Sequence, residues 1–351
     1  MKNPRTELPP AVQCPLPWRH SHIVMAHGGG GRMMHDLIEG VFSPLSTGNG
    51  ARHDGTIVGC GTERIAYTTD TFVVSPLFFP GGDIGRLAVF GTVNDLAMCG
   101  ARPEALSAGF ILEDGFDLEL LQRIVASMSA AAAEVGVRIV TGDTKVVERG
   151  KGDGLYINTS GIGRVRAGVE IGPARVRKGD AIILSGDLGR HGIALMAVRE
   201  GLQFETKIQS DCANLWPAVD ELLQNPVDVH CLRDLTRGGL ASALVEIAEA
   251  SDSHLTIREG TIPVSDAVLG ACEILGLDPL HVANEGRFCV FVPADQAEAT
   301  VKALRSHEVC SGACIVGEVG ADLSGVVSLR TVLGTDRLID MPSGEQLPRI
   351  C

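Results

Sequence analysis

Apolar residues follow two alternating rhythms along this chain. Short runs bounded by glycine read as strands over residues 64–69 (ahead of Asp70), 105–112 and 155–160, and residues 138–143 read as strand then turn. Between them, residues 84–99 carry Leu87, Phe90, Val93 and Leu96 at helical spacings of three. Residues 117–135 form a strongly amphipathic helix that stops at Gly136. After a stretch at 164–179 with Pro173, three glycines and mixed charge, the alternation restarts. A buried strand over 181–185 leads through a glycine-rich turn into a helix ending near Glu200. A short strand over 229–232 then runs into Asp234, and an amphipathic helix covers 239–250. Residues 281–285 and 288–292 read as strands separated by a glycine turn.

This alternation specifies a mixed α/β fold in two halves, 23–165 and 175–335. A proline-rich segment, 1–22, reads as an extended arm, and 341–351 as a flexible tail. The length of 351 residues agrees with two domains of about 100–200 residues each.

Charge narrows the partners. With 43 acidic against 30 basic residues, the formal charge of −13 repels nucleic acid and anionic membrane alike. No stretch approaches the roughly 18 apolar residues of a membrane span, and the N-terminus has no apolar signal region. The ten cysteines are dispersed and read as reduced cytoplasmic thiols. Glycine, at 43 copies, is about 12% of the chain against an average near 7%. Several of its clusters have the size of a phosphate cradle.

One cluster is Gly28-Gly29-Gly30-Gly31, ahead of a helix expected from Met33. Bare backbone N–H groups there suit phosphates, and a hinge is an equal alternative. The segment is no Walker loop, since no Gly-Lys-Ser/Thr follows. Asp70, Asp95, Asp143 and Asp234 each stand at a strand end or within a helix, near glycines. Taken singly, each is as readily a turn or cap residue. Asp95, between Val93 and Leu96-Ala97-Met98, is costly to bury unless a cation or donor meets it. Together they suit magnesium, which takes one or two carboxylates and completes its shell with water and phosphate oxygens. Asp234-Leu-Thr236-Arg237-Gly-Gly opens a helix whose N-terminus, hydroxyl and guanidinium favour an anion. Lys145 could neutralise a phosphate, and Glu285 has an apolar setting that would raise its pKa towards that of a general base. An ion pair is an equal reading for either. Cys351, the last residue, sits on a proline- and glycine-rich tether, which suits a carried nucleophile, with Arg349 expected to favour its thiolate.

Together these segments closely resemble the HypE family of hydrogenase maturation factors. The matching stretches are Ala26-His-Gly-Gly-Gly-Gly, Thr68-Thr-Asp, Pro76-Leu-Phe-Phe-Pro-Gly-Gly-Asp-Ile-Gly and Gly91-Thr-Val-Asn-Asp-Leu-Ala. Further along come Val140-Thr-Gly-Asp-Thr-Lys, Arg233-Asp-Leu-Thr-Arg-Gly-Gly, Ala283-Asn-Glu-Gly and the ending Pro348-Arg-Ile-Cys. The resemblance implies the two-domain fold of aminoimidazole ribonucleotide synthetase, with an N-terminal domain that dimerises through its sheet and ATP bound between the domains. It also implies that a partner, HypF, places a carbamoyl group on Cys351. ATP would then drive its dehydration to thiocyanate, and the cyanide would pass to iron on a HypC–HypD complex. By family position Asp70, Asp95 and Asp234 are assigned to magnesium–ATP, and Asp143 more loosely to the same site. Lys145 and Glu285 are assigned to the dehydration, and Cys351 to carrying the substrate.

Arg190 stands where the family pattern has Asp, and residues 43–62 do not align. Selenophosphate synthetase, the nearest enzymatic rival, needs a reactive Cys or selenocysteine where this chain has His27. A scaffold that merely carries cyanide is the non-enzymatic alternative.

Overall fold

A computed structural model describes residues 22–45, 53–201, 207–321, 323–342, 347 and 349–351. The expected arm thus lies almost wholly outside the described residues. After the four glycines, helix α1 (Arg32–Leu37) leads towards the first sheet. That sheet contains β1 (Thr56–Cys60), β2 (Glu63–Phe72), β5 (Ala101–Glu113), β6 (Arg138–Val147) and β7 (Leu155–Val165), in the order β1-β2-β7-β5-β6. A small hairpin, β3 (Phe78–Phe79) and β4 (Gly82–Asp83), precedes the central helix α2 (Ile84–Met98). The Asp83 side chain caps α2, accepting from the Gly85 and Arg86 amides at 2.8 and 3.1 Å.

Thirteen of the 15 residues of α2 are buried, because it packs on β2, β5 and β7 on one side and meets the second domain on the other. Asp95 therefore sits on a core helix. Helix α3 (Leu118–Val135), which also packs on α2, ends where Gly136 adopts a left-handed φ of 78°.

The second domain has a seven-stranded sheet flanked by helices. It runs through β8 (Asp180–Leu184), α4 (Arg190–Arg199), α5 (Trp216–Gln224), β9 (Cys231–Asp234), α6 (Gly239–Ser251), β10 (His254–Arg258) and α7 (Asp266–Leu275). It continues with β11 (Phe288–Pro293), α8 (Ala297–Leu304), β12 (Cys314–Gly320), β13 (Val326–Arg330) and β14 (Asp336–Ile339), in the sheet order β14-β13-β10-β12-β8-β11-β9. The apolar run of β8 is buried throughout, since helices cover both faces.

Three expectations need correction. Residues 281–285 are not a strand: Asp278 caps a single 3₁₀ turn, Pro279–His281, and the following loop is held by Asn284. The strand at 138–143 does not turn at Asp143 but continues to Val147, pairing in parallel with β5. The tail is less detached from the core than its prolines suggest. Leu347 and Ile350 are buried against α4 and the first domain's core, so the tail carries two apolar anchors among its polar residues.

Candidate active site

Where the domains meet, Asp95 of α2, Asp234 at the end of β9 and Asp54 ahead of β1 bring carboxylate oxygens within 4.8 Å of one another. Thr68 of β2 donates from Oγ1 to Asp95 Oδ2 at 2.6 Å. Arg233 holds Asp54, Nε to Oδ1 at 2.9 Å, and its other end pairs with Glu246 of α6. Burial, then the neighbouring Asp234, Asp70 and Asp54, hold the Asp95 carboxyl well above its ordinary pKa. Asp234 is pushed up to about 8, by burial first and Asp54 next, with Arg233 opposing. Burial acts on Asp54 in the same direction, but Arg233 and His53 outweigh it and leave its pKa lowered.

Such a cluster is electrostatically unsatisfied by the protein alone: Asp54 Oδ2 is buried without a hydrogen-bond partner. Hard carboxylate oxygens converging on one point fit a magnesium ion.

On the Arg237 side lies a cleft of about 750 Å³ whose walls include Gly28, Gly29, Thr71, Arg237, Gly238 and Cys351, while the three aspartates themselves do not line it. The glycine segment lies against the turn that opens α6. A Cβ at Gly30, itself at φ +71°, would come within 2.7 Å of Arg237 backbone and side-chain atoms. This closeness explains the glycine at position 30, and the backbone of Pro342 explains the one at 31, whereas a Cβ at Gly28 would meet nothing. Thr236 donates to Asp234 Oδ1 at 3.3 Å, and Arg237 reaches within 3.8 Å of Asp70 Oδ1.

Glu285 is buried, with Oε1 unpaired. Burial, then Asp234, Asp70 and Asp211, raise its pKa well above the usual range, while Arg237 opposes them. Its backbone is fixed twice over. Asp211 accepts from the Glu285 and Gly286 amides at 3.3 and 3.1 Å, and Asn94 of α2 donates to the Glu285 carbonyl at 3.4 Å.

The chain terminus enters the same cleft. The Val73 amide donates to the Cys351 carbonyl oxygen at 3.0 Å, and the Ser75 amide to that of Arg349 at 3.2 Å. Arg349 is not the cation beside the thiol, because its guanidinium pairs with Asp153. Arg237 takes that place. Burial still dominates, followed by the negative charges of Glu285, Asp70 and Asp234, so the docked Cys351 thiol is held far above its ordinary pKa.

Asp143 and Lys145 do not join the cluster within one chain. They lie on the outer strand β6, 3.5 Å apart and each 73% exposed. Arg190, at the departure from the family pattern, pairs with Asp187 at 3.0 Å, and Asp187 also pairs with Arg287. Sequence reasoning missed Asp54, which stands alone in a segment with no aligned motif, and Asp211, whose role depends on a contact 74 residues distant.

Two family profiles match the chain: the AIR synthase related protein N-terminal domain over residues 52–165 and its C-terminal domain over 177–330. The carbamoyl dehydratase HypE of Rhodobacter capsulatus is 50% identical over 337 residues, covering 95% of this chain and 99% of the relative. A crystal structure of a HypE–HypF complex superposes with a TM-score of 0.82 at 46% identity, covering 87% of this chain and 99% of that one. A HypE crystal structure in complex with ATP gives 0.80 at 44% identity, covering 94% of this chain and 100% of the other.

Proposed function

The chain belongs to the HypE family of carbamoyl dehydratases, and from that premise we propose how its own residues carry the reaction. The activity is the ATP-dependent dehydration of a carbamoyl group in hydrogenase maturation. Cys351 is the carrier in this reading, and the observation behind it is the docking of the chain's last residue in the cleft beside Arg237 and Glu285.

The carbamoyl oxygen is a poor leaving group until it becomes a phosphate ester. It attacks the γ-phosphorus of ATP, and ADP departs. The glycines of 28–31, Thr236 and the α6 N-terminus supply N–H and hydroxyl donors for the nucleotide phosphates. Asp54, Asp95 and Asp234 would hold magnesium, with Asp70 at its margin; bound there, the ion offsets charge on the phosphoryl group. Arg237, with Cys351, Asp70 and Glu285 all acting on it, is placed to stabilise the same charge. Glu285 then accepts a proton from nitrogen, the C–O bond breaks as phosphate leaves with the oxygen, and the departing phosphate takes the second N–H proton, which completes the S–C≡N group. Burial is the first cause of the raised Glu285 pKa; a cation balancing Asp70 and Asp234 removes part of the repulsion added to it, which favours the carboxylate base.

In this reading Cys351, which lines the cleft when docked, is loaded elsewhere, at HypF, and returns already carbamoylated. HypC–HypD is the proposed cyanide acceptor. Exposed apolar side chains on the first sheet, among them Ile139, Val140 and Val146 of β6, support dimerisation through that sheet. A second copy would then bring Asp143 and Lys145 to a neighbouring site. The division proposed here keeps the limits expected from sequence, 23–165 and 175–335, with the tail at 341–351. Among the described residues no helix is long and apolar enough to cross a membrane, and all nine described cysteines are free, which supports a cytoplasmic setting.

The test is phosphate release. Protein carbamoylated by HypF should release one phosphate per chain with Mg-ATP, and the Cys351→Ala variant none. Equal release from the variant would remove Cys351 from the reaction.

A further inference from the structure

His191, the second residue of α4, is fully buried and has no part in the reaction outlined above. Both of its ring nitrogens are engaged. Nδ1 lies 2.8 Å from Ser210 Oγ, and Nε2 lies 2.8 Å from the carbonyl oxygen of Ile350. A carbonyl only accepts, so Nε2 carries the proton. In the neutral ring Nδ1 is then the acceptor, and Ser210 O–H donates to it. The Cys212 amide in turn donates to Ser210 Oγ at 3.0 Å. Burial lowers the pKa of His191, in keeping with the neutral ring. The hydrogen bonds thus run one way, from the Cys212 amide through Ser210 and His191 to the chain terminus. The Phe79 ring, edge-on at 5.4 Å and 90°, fixes the imidazole plane from the side.

Geometry of the tail explains why this contact matters. Arg349 takes a left-handed φ of 55°, so the chain turns there, and the backbone oxygens of residues 349–351 reach different donors. The backbone oxygens of Arg349 and Cys351, the latter part of the terminal carboxylate, accept from the Ser75 and Val73 amides. The Ile350 carbonyl faces His191 instead. Arg199 from the same helix reaches the Arg349 carbonyl, so three consecutive carbonyls have donors from the protein. A slip of one residue would take the Ile350 carbonyl from His191 and shift the cysteine away from Arg237.

We infer that His191, oriented by Ser210, is a positioning residue that sets the register of the docked terminus by donating to the Ile350 carbonyl, so that Cys351 is presented to Arg237 and Glu285. This rests on the reading of Cys351 as the carrier. It adds that the cleft recognises the terminus through its backbone, at a carbonyl adjoining the reacting residue.

The test uses full-length protein carbamoylated by HypF, with His191→Phe, His191→Gln and Ser210→Ala beside the parent. Phe keeps the bulk but donates nothing, whereas Gln can still donate from Nε2. Single-turnover conversion to the cyanated form, followed by intact mass, should slow about tenfold in His191→Phe, the weight of one buried hydrogen bond. Rescue to within about threefold of the parent is expected in His191→Gln, with an intermediate loss in Ser210→Ala. ATP affinity and melting temperature should stay at the parent's values in Ser210→Ala. Carboxypeptidase should release Cys351 from metal- and nucleotide-free His191→Phe faster than from parent. Parent-like conversion and protection in both His191→Phe and Ser210→Ala would overturn the inference, as would equal loss in Phe and Gln. Should His191→Phe fail to fold, Gln against Ser210→Ala decides: the inference predicts Gln faster, and the reverse order overturns it. If the parent itself fails to convert, the carrier reading fails instead.

Discussion

The Val73 amide donates to the carbonyl oxygen of Cys351 at 3.0 Å, which ties the last residue of the chain to the segment leaving β2, three positions beyond Asp70. One strand thus leads both to an acidic residue of the cleft and to the seat of the terminal cysteine. The cysteine's distance from the phosphoryl site is set by backbone, a stiffer ruler than two side chains. Adding one residue after Cys351 displaces this carbonyl or leaves an extra residue in the seat. Such an extension should impair dehydration while leaving ATP affinity unchanged, as measured by titration calorimetry and intact mass. Undiminished conversion would mean that the seat tolerates a longer terminus.

Asp95→Asn and Asp54→Asn should diverge. Asp95 is repelled by three acids and held above its ordinary pKa, so an amide relieves the metal-free protein and its melting temperature rises. Turnover of ATP should nevertheless fall more than about a hundredfold, on the scale of losing one electrostatic contributor to the transition state. Asp54 is instead the partner of Arg233, and breaking such a buried pair costs about 3–5 kcal/mol. Asp54→Asn should therefore melt earlier. Matching shifts in both variants would contradict the division of labour.

Stability against pH follows from the same charges. Asp234 titrates near 8 in the fold against an ordinary value of 3.8, so its contribution is present at low pH and is lost as pH rises from about 4 through 8. A bound divalent cation offsets that loss. The rise in melting temperature on adding magnesium should accordingly grow across this window, and Asp234→Asn should flatten it. A magnesium effect independent of pH would place the ion elsewhere.

Glu285→Gln should bind ATP normally and stall nitrile formation by about 10²–10⁴-fold, because Gln cannot take the nitrogen-bound proton. In the parent the same step should gain speed with rising pH, since a carboxyl with a raised pKa is a base only once it has lost its proton. Cyanation by Glu285→Gln at the parent's rate would move the base elsewhere, with Lys145 of a second copy next in line.

Ile350→Ala tests the tail's unexpected apolar anchor. Truncating a buried Ile costs about 2–5 kcal/mol where the chain has no alternative, but a tail can leave its seat instead. The melting temperature should therefore move little while dehydration slows. A large fall in melting temperature would show the tail to be integral to the fold.

Much of this arrangement was legible in the chain. Helical spacing gave the core helix that carries Asp95, and Gly136 marked the end of α3, because both follow from local periodicity and backbone freedom. The motif around Asp234, Thr236 and Arg237 was readable for the same reason: its residues are contiguous. Asp54, Asp211 and His191 were not, since each acts far along the chain: Asp54 across the domains on Arg233, Asp211 on Glu285 within its own domain, and His191 on the docked tail. The loop at 281–285 misled because its apolar residues are buried by packing around Asn284 without pairing in the sheet. Asp143 and Lys145 carry the family's motif, yet one chain alone leaves them on an open edge.

The central claim is that Cys351 carries the carbamoyl group into this cleft and leaves as thiocyanate. Intact-mass analysis of carbamoylated protein before and after Mg-ATP tests it most directly. The account predicts a loss equal to one water molecule, confined to the C-terminal peptide and absent in Glu285→Gln. A carbamoyl group that stays unchanged on Cys351 while the protein hydrolyses ATP, or the same mass loss from a peptide without Cys351, would contradict it.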